Sequence, residues 1–472
     1  MITFFISLLL LLVGYFVYGK FVERVFGANS KRETPAIRLN DGVDYVPMGW
    51  GKIYLIQFLN IAGLGPIFGA ILGAVYGPVA FIWIVVGSIL GGAVHDYFSG
   101  MMSVRQDGQS IAEVIGKYLG LSAKQIMRGF TVILMLLVGA AFMKGPAVIL
   151  GGIALNKSIW IWIIFAYYII ATLLPINKLI GQIYPIFGLA LLFMALGIGF
   201  MMIYRGLPIP ELTLDSLKNM KTNGSDYPIF PMIFVTISCG AISGFHATQS
   251  PLMARCIKNE KMGRQVFYGS MITEAVVALI WAAVAMSFFG GVSQLNAELA
   301  ANGNQPAWFV NLVSKELLGT FGGVLAILGV VAAPITTGDT AFRSARLIVA
   351  DFTKLSQSKI INRLIISIPI FILAFTLTQV KFDIVWRYMF WFNQVLATIV
   401  LWTITVYLAK KKKLFWIALI PSIFMTAVVS TYIFISPEAI GLNHRTSYII
   451  GLGFTLAVSL YFFYHKYFLW KK

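Results

Sequence analysis

The chain has 472 residues, 59% of them hydrophobic and 11% charged, where soluble domains average about 45–50% and about 25%. Its many apolar runs approach the roughly 20 residues that a helix needs to cross a bilayer, which excludes a soluble core. The formal charge of +18 is spread over short loops between these runs, as membrane topology requires, and marks no nucleic-acid-binding face.

In chain order, the runs predict thirteen spans near residues 2–19, 53–76, 79–102, 127–151, 158–175, 183–204, 229–250, 267–290, 319–338, 361–378, 384–408, 414–435 and 446–469. The first lacks a basic leader and a small-residue cleavage site, so it reads as a retained span. Lysine and arginine favour the cytoplasmic side of a membrane. Counted over alternating loops, 27 of the 36 basic residues fall in one set, which begins with residues 20–52 and ends with Lys466, Lys471 and Lys472. That segregation predicts an N-terminus outside, a C-terminus in the cytoplasm and a multi-pass protein of a prokaryotic plasma membrane.

Two spans carry a break. Ile53–Tyr76 holds Gly63, Gly65 and Pro66 near its centre, and Ile229–Pro251 holds Cys239-Gly240-Ala241-Ile242-Ser243-Gly244-Phe245-His246. Glycine costs a helix interior about 1 kcal/mol and proline about 3. Backbone groups freed this way are tolerated at membrane depth only where protein or a water-filled cavity satisfies them. Paired interruptions are the sequence mark of a transporter's binding site. They fall in the second and seventh spans, five apart, so an odd repeat length puts the two repeats in opposite orientations. The expected fold is all-α, a leucine-transporter-like five-plus-five inverted repeat with one helix before it and two after. Within a single transmembrane domain, residues 1–33 form the first span and linker, 34–204 and 229–409 the repeats, and 414–472 the last two spans. The breaks nominate Ala62, Gly63, Gly65, Pro66, Gly240, Ala241, Ser243, Gly244 and His246 as substrate-binding, with helix N-termini facing an anionic group.

Outside the spans, Ser110–Leu119 reads as a surface amphipathic helix with Ile111, Val114, Ile115 and Tyr118 on one face. Residues 205–227 form a polar outer loop, a connector or a lid.

Ionisable residues at membrane depth are costly and are functional candidates by default. His95, Asp96, Glu274 and Asp339 are candidates for ion or proton coupling; each also has a plain reading as a loop anchor or a buried structural partner. Lys144 precedes a Gly145-Pro146 kink on a helix that the fold plan sets beside the cavity. It could hold a substrate carboxylate, replace a bound cation, pair with Glu274 or Asp339, or snorkel to the surface. Ala332–Thr340 packs hydroxyls and a carboxylate beside Pro334. With the carbonyl of Ile61, Thr336 and Thr337 offer oxygen ligands of the kind sodium takes, while Asp339 suits a proton. No His/Cys metal cluster and no phosphate loop at usable spacing appears, so neither an enzyme, a cofactor nor an ATP-driven pump is expected; the coupling ion is H⁺ or Na⁺.

The stretch Thr34-Pro-Ala-Ile-Arg-Leu-Asn-Asp-Gly-Val-Asp-Tyr-Val-Pro47 and Ile61-Ala-Gly-Leu-Gly-Pro66 resemble the opening signature of the carbon starvation protein A (CstA) family. Gly91–Asp96, Ser103–Gly108, Thr236–His246, Asp339-Thr340 and Asn393-Gln394 resemble its later motifs. The resemblance, from about Thr34 to Leu408, implies membership of the amino acid–polyamine–organocation transporter superfamily. It also implies cation-coupled uptake of peptides or pyruvate during carbon starvation. The chain departs from the long members in being shorter, in having one span before the signature where they have two, and in carrying Ile56-Gln57 where they have a histidine pair. The alternative class is a channel or a non-transporting nutrient sensor, but there is no filter-like repeat and no soluble signalling domain.

Overall fold

In the computed structural model, residues 1–42, 45–152, 155–173, 180–355 and 359–469 are described. Val43 and Asp44 of the signature, and Lys178, Lys471 and Lys472 of the basic loops, lie outside them. Among the described residues the fold is all-helical, with a lone bridge between Met48 and Ile257 in place of any sheet.

Among the described residues, ten helices are long and apolar enough to cross a membrane, or eleven if Trp50–Ala62 and Gly65–Ala74, bent by 46°, count as one broken span. Lys157–Leu173 is apolar but shorter, and the second interrupted stretch is split into two short helices, Ile229–Thr236 and Gly244–Ala254. Burial sorts the helices. Arg264–Phe288 is the central one, 83% buried over its apolar window, whereas Ile2–Phe26 and His444–Phe468 are 28% and 22% buried and turn Leu9, Leu10, Leu456 and Leu460 outward. Apolar surface of that extent suits lipid.

The sequence reading missed two features. A helix begins at Pro306, well before the expected 319–338 span, and is bent at Gly319, whose φ of 62° only glycine adopts readily. Val292–Ala301 forms a further short helix. The surface helix does form over Ile111–Leu119, with Ile111, Val114 and Ile115 buried. In the 205–227 loop, both carboxylate oxygens of Glu211 receive the N–H groups and hydroxyl at the start of the first helix, Ile2 and Thr3 among them.

Three elements frame the site. Leu121–Gly151 packs along Ala333–Thr353 and Phe382–Lys410, Gly269–Phe288 lies against Gly65–Ala74, and Gly244–Ala254 is enclosed by Ala93–Val104, Trp50–Ala62 and Phe382–Lys410.

Candidate functional site

The two interruptions meet. The first is short: the helix stops at Ala62, Gly63 leaves helical geometry and a new helix starts at Gly65, with Pro66 in its first turn. Proline is tolerated there because a first-turn N–H has no helical partner to lose. The second runs from Ile237 to Ser243. A Cβ on Gly65 would stand 2.3 Å from Cys239 Sγ, and one on Gly69 would stand 2.9 Å from the Thr236 carbonyl. The new helix therefore lies directly on the second break, an approach that only small residues permit.

Side chains from other helices hold the freed backbone of the second break. Trp83 Nε1 donates to the Ile237 carbonyl at 2.9 Å and Ser88 Oγ to the Gly240 carbonyl at 2.9 Å. Asn393 Oδ1 accepts the Phe245 N–H at 2.7 Å, capping the half-helix that follows, and Ser243 Oγ at 3.2 Å. Gln394 Nε2 donates to the Phe234 carbonyl at 3.0 Å. One N–H expected to face an anionic ligand is thus occupied by Asn393. Trp83 and Ser88 lie in a π-helical run, Trp83–Gly92, a wide turn often found at functional sites.

Beside this break four titratable side chains form a fully buried chain. Asp96 accepts His95 Nδ1 at 2.7 Å on one oxygen and His246 Nδ1 at 2.8 Å on the other, and His246 Nε2 lies 3.3 Å from Glu274 Oε2. All four are 0% exposed. Three elements converge here: His95 and Asp96 follow the π-helical run, His246 is in the first turn of the half-helix, and Glu274 is on the central helix. Two carboxylates with two imidazoles can hold a variable number of protons. A proton can pass between His246 Nε2 and Glu274 Oε2 without crossing water.

The remaining candidates stand elsewhere. Ile61, Gly63, Gly65, Cys239, Phe245, Thr337, Met389 and Asn393 line a cavity between the breaks of only about 20 Å³, room for about one water. Thr336 and Thr337 donate their hydroxyls to the Ala333 carbonyl at 2.7 and 3.1 Å. Asp339 is ion-paired with Arg343 at 3.2 Å. Lys144 donates to the Val380 carbonyl at 2.6 Å and lines a separate open vestibule of about 800 Å³ with Lys157, Lys381, Gln305 and Trp162. The expected pairing of Lys144 with Glu274 or Asp339 is overturned, because those carboxylates face His246 and Arg343. Phe382 lines the vestibule, and Met389 and Asn393 on the same helix line the cavity. Between them Trp386 is packed 5.3 Å from Phe68, 5.2 Å from Phe382 and 4.7 Å from Phe390, centroid to centroid.

The expectation of no His/Cys cluster is likewise corrected. Cys239, His246 and Glu274 each offer a ligand atom within 4.8 Å of the others. Separations of 7 and 28 residues along the sequence conceal this, since only the broken helix brings Cys239 and His246 to the Glu274 face.

A family model described as "Carbon starvation protein CstA" matches residues 1–150 and 143–317. An "Uncharacterized membrane protein" of Haemophilus influenzae is 44% identical over 64% of this chain and 95% of its own length. A "Peptide transporter CstA" of Campylobacter jejuni is 30% identical over 57% of this chain and 47% of its own length, so the match spans about half of that relative. The crystal structure of the Eremococcus coleocola manganese transporter, in complex with an aromatic bis-isothiourea substituted compound, superposes with a TM-score of 0.56 at 15% identity, over 90% of this chain and 96% of that one. At that identity the likeness is one of fold, that of a helical membrane transporter. The family match covers both interrupted helices, with Trp83 and Ser88 that hold the second, and the chain belongs to the carbon starvation protein CstA family.

Proposed function

We propose that this multi-pass membrane protein is a secondary active transporter that imports a small carboxylate-bearing nutrient, a peptide or pyruvate, with protons, in support of growth under carbon starvation. The observation that carries the reading is the meeting of two interrupted helices around a small cavity, with the buried chain His95–Asp96–His246–Glu274 beside one of them. A relative named a peptide transporter supports the substrate class.

In this reading residues 34–204 and 229–409 are inverted repeats, the N-terminus is external, and the Lys144 vestibule opens outward. Lys144, Lys157 and Lys381 draw in a carboxylate. Movement of Trp386 and Phe68 admits it to the space between Gly63–Gly65 and Cys239–Gly244, where backbone groups receive it. His246 belongs to the half-helix after the second break. Adding a proton to the His246–Glu274 pair changes the force holding that half-helix to the central helix, which links proton uptake to opening. Ile61 and Thr337 line the same cavity and, with Thr336, form the second reading, a sodium site.

Counterflow in proteoliposomes tests the function. Vesicles loaded with unlabelled di- and tripeptides or pyruvate should concentrate external label, which neither a channel nor a sensor can do. Uptake driven by a pH gradient without sodium supports protons. Uptake that requires sodium, and ignores the pH gradient, replaces them.

A further inference from the structure

The second break adds a thiol, Cys239, to the His246–Glu274 pair already given to proton coupling, and the three together offer a second chemistry. Cys239, His246 and Glu274 are 8%, 0% and 0% exposed, and one ligand atom of each lies within 4.8 Å of the other two. Nε2 of His246 and the oxygens of Glu274 make no well-aligned hydrogen bond with the protein and face each other at 3.3 Å. Buried polar atoms rarely stay unsatisfied in a folded protein, and here three converge with a thiol on one point.

The geometry points to a binding site for a thiophilic divalent cation of the zinc class, held by Cys239 Sγ, His246 Nε2 and Glu274. A tetrahedral zinc with Zn–S of about 2.3 Å and Zn–N and Zn–O of about 2.0–2.2 Å keeps its ligands roughly 3.4–3.6 Å apart. The histidine–glutamate separation already meets that spacing, and side-chain rotation of Cys239 supplies the rest. Asp96 completes the arrangement. Its 2.8 Å hydrogen bond from His246 Nδ1 fixes the tautomer that leaves the Nε2 lone pair free, the carboxylate–histidine–metal relation found around protein-bound zinc. Cys239 also lines the cavity between the breaks, which gives the ion an entry path and the fourth position a water. Binding replaces the Cys239 S–H proton, and any proton on Glu274, by the metal; those protons leave through the same cavity to solvent. An S/N/O donor set selects zinc-like ions over magnesium or calcium, which take oxygen ligands. Once bound, the ion ties the second break to the central helix.

The test uses the purified full chain in detergent, with Co²⁺ as the optical probe and Zn²⁺ as competitor. One Co²⁺ per chain is expected, with intense tetrahedral d–d bands and a sulfur-to-cobalt charge-transfer band, displaced by Zn²⁺ and unaffected by Mg²⁺. Cys239→Ser should remove the charge-transfer band, and Asp96→Asn should weaken binding by about 10–100-fold, the usual range for a metal's outer-shell partner. Because these buried variants can fail to fold, a second measurement uses Cys256→Ser protein: Zn²⁺ should slow alkylation of Cys239 at least several-fold. Folded wild-type protein that takes up no stoichiometric Co²⁺, a charge-transfer band that persists in Cys239→Ser, or alkylation indifferent to Zn²⁺ would each overturn the site.

Discussion

Asp96 and His246 are 150 residues apart in sequence and 2.8 Å apart in space. Their contact joins the helix that supports the second break to the half-helix that leaves it. Asp96→Asn keeps the shape of the side chain and removes the charge that binds both imidazoles. Proton-driven uptake should fall by about 5–150-fold, the usual range of coupling between two sites, while counterflow, which needs no net proton movement, persists. Parallel assays of both modes in one vesicle preparation check this; equal loss of both would remove Asp96 from coupling.

Lys144 lines the vestibule and not the cavity between the breaks, and the proposed cycle gives it the capture of substrate. Charged clefts raise encounter rates by about tenfold or more. Lys144→Met should raise KM for a carboxylate-bearing substrate by a factor of that order with kcat little changed, and Lys144→Arg should stay near wild type. The difference should shrink at high salt, where screening shortens the reach of the charge. Uptake kinetics at two ionic strengths decide it.

Trp386 stands on its helix between Phe382, which lines the vestibule, and Met389, which lines the cavity, and in the proposed cycle it is the barrier between them. Trp386→Ala removes the stack on Phe382, the tilted contact with Phe68 and the edge contact with Phe390 at a cost of about 3–5 kcal/mol in stability. In protein carrying Cys256→Ser, alkylation of Cys239 from the vestibule side should accelerate several-fold. An unchanged rate would mean that the path to the cavity runs elsewhere.

Gly92 carries the closest approach in the site: a Cβ there would stand 2.0 Å from the Ala241 carbonyl oxygen. Gly92→Ala must push the second break away from the π-helical run. Overpacking of this kind costs about 1–3 kcal/mol, so the melting temperature should fall and transport should be lost well below the temperature of unfolding. Gly129→Ala, where a Cβ meets open space, serves as the control.

At the basic end of the bundle, in a loop outside the spans, buried Glu260 accepts Arg105 Nε at 3.0 Å and the Asn29 N–H at 2.8 Å. Burial alone would raise its pKa, but the Arg105 hydrogen bond, the Asn29 N–H and the charges of Arg105 and Arg32 outweigh burial and hold it below the ordinary glutamate range. A depressed pKa contributes stability that is present above the unfolded value, about 4.5, and lost as pH falls through the folded one. Glu260→Gln should melt lower than wild type at pH 7, and the gap should close as the pH falls from the unfolded value of 4.5 down through the lower folded one. Melting curves across that range measure it.

How much of this was legible in the sequence follows from how local each signal is. Gly63, Gly65 and Pro66 break a helix by their own chemistry, so the first interruption could be read directly, as could the amphipathic face of Ile111–Leu119. Asn393 and Gln394 could be noticed as a motif, but their task of holding the second break depends on which helix packs there. The meeting of Asp96, His246, Glu274 and Cys239 was hidden for the same reason: each is an isolated polar residue in an apolar run until tertiary packing brings three elements together. The four readings open to Lys144 could not be narrowed from sequence, because depth along a helix says nothing of which side the helix turns to the cavity. The helix beginning at Pro306 was missed because Asn311, Lys315 and Glu316 break its apolar pattern.

The cavity between the breaks has room for about one water. In the proposed cycle, breaks packed this closely let the carrier change its facing without carrying a continuous file of water, along which protons would hop, so that little of the gradient that drives it would leak through between cargoes.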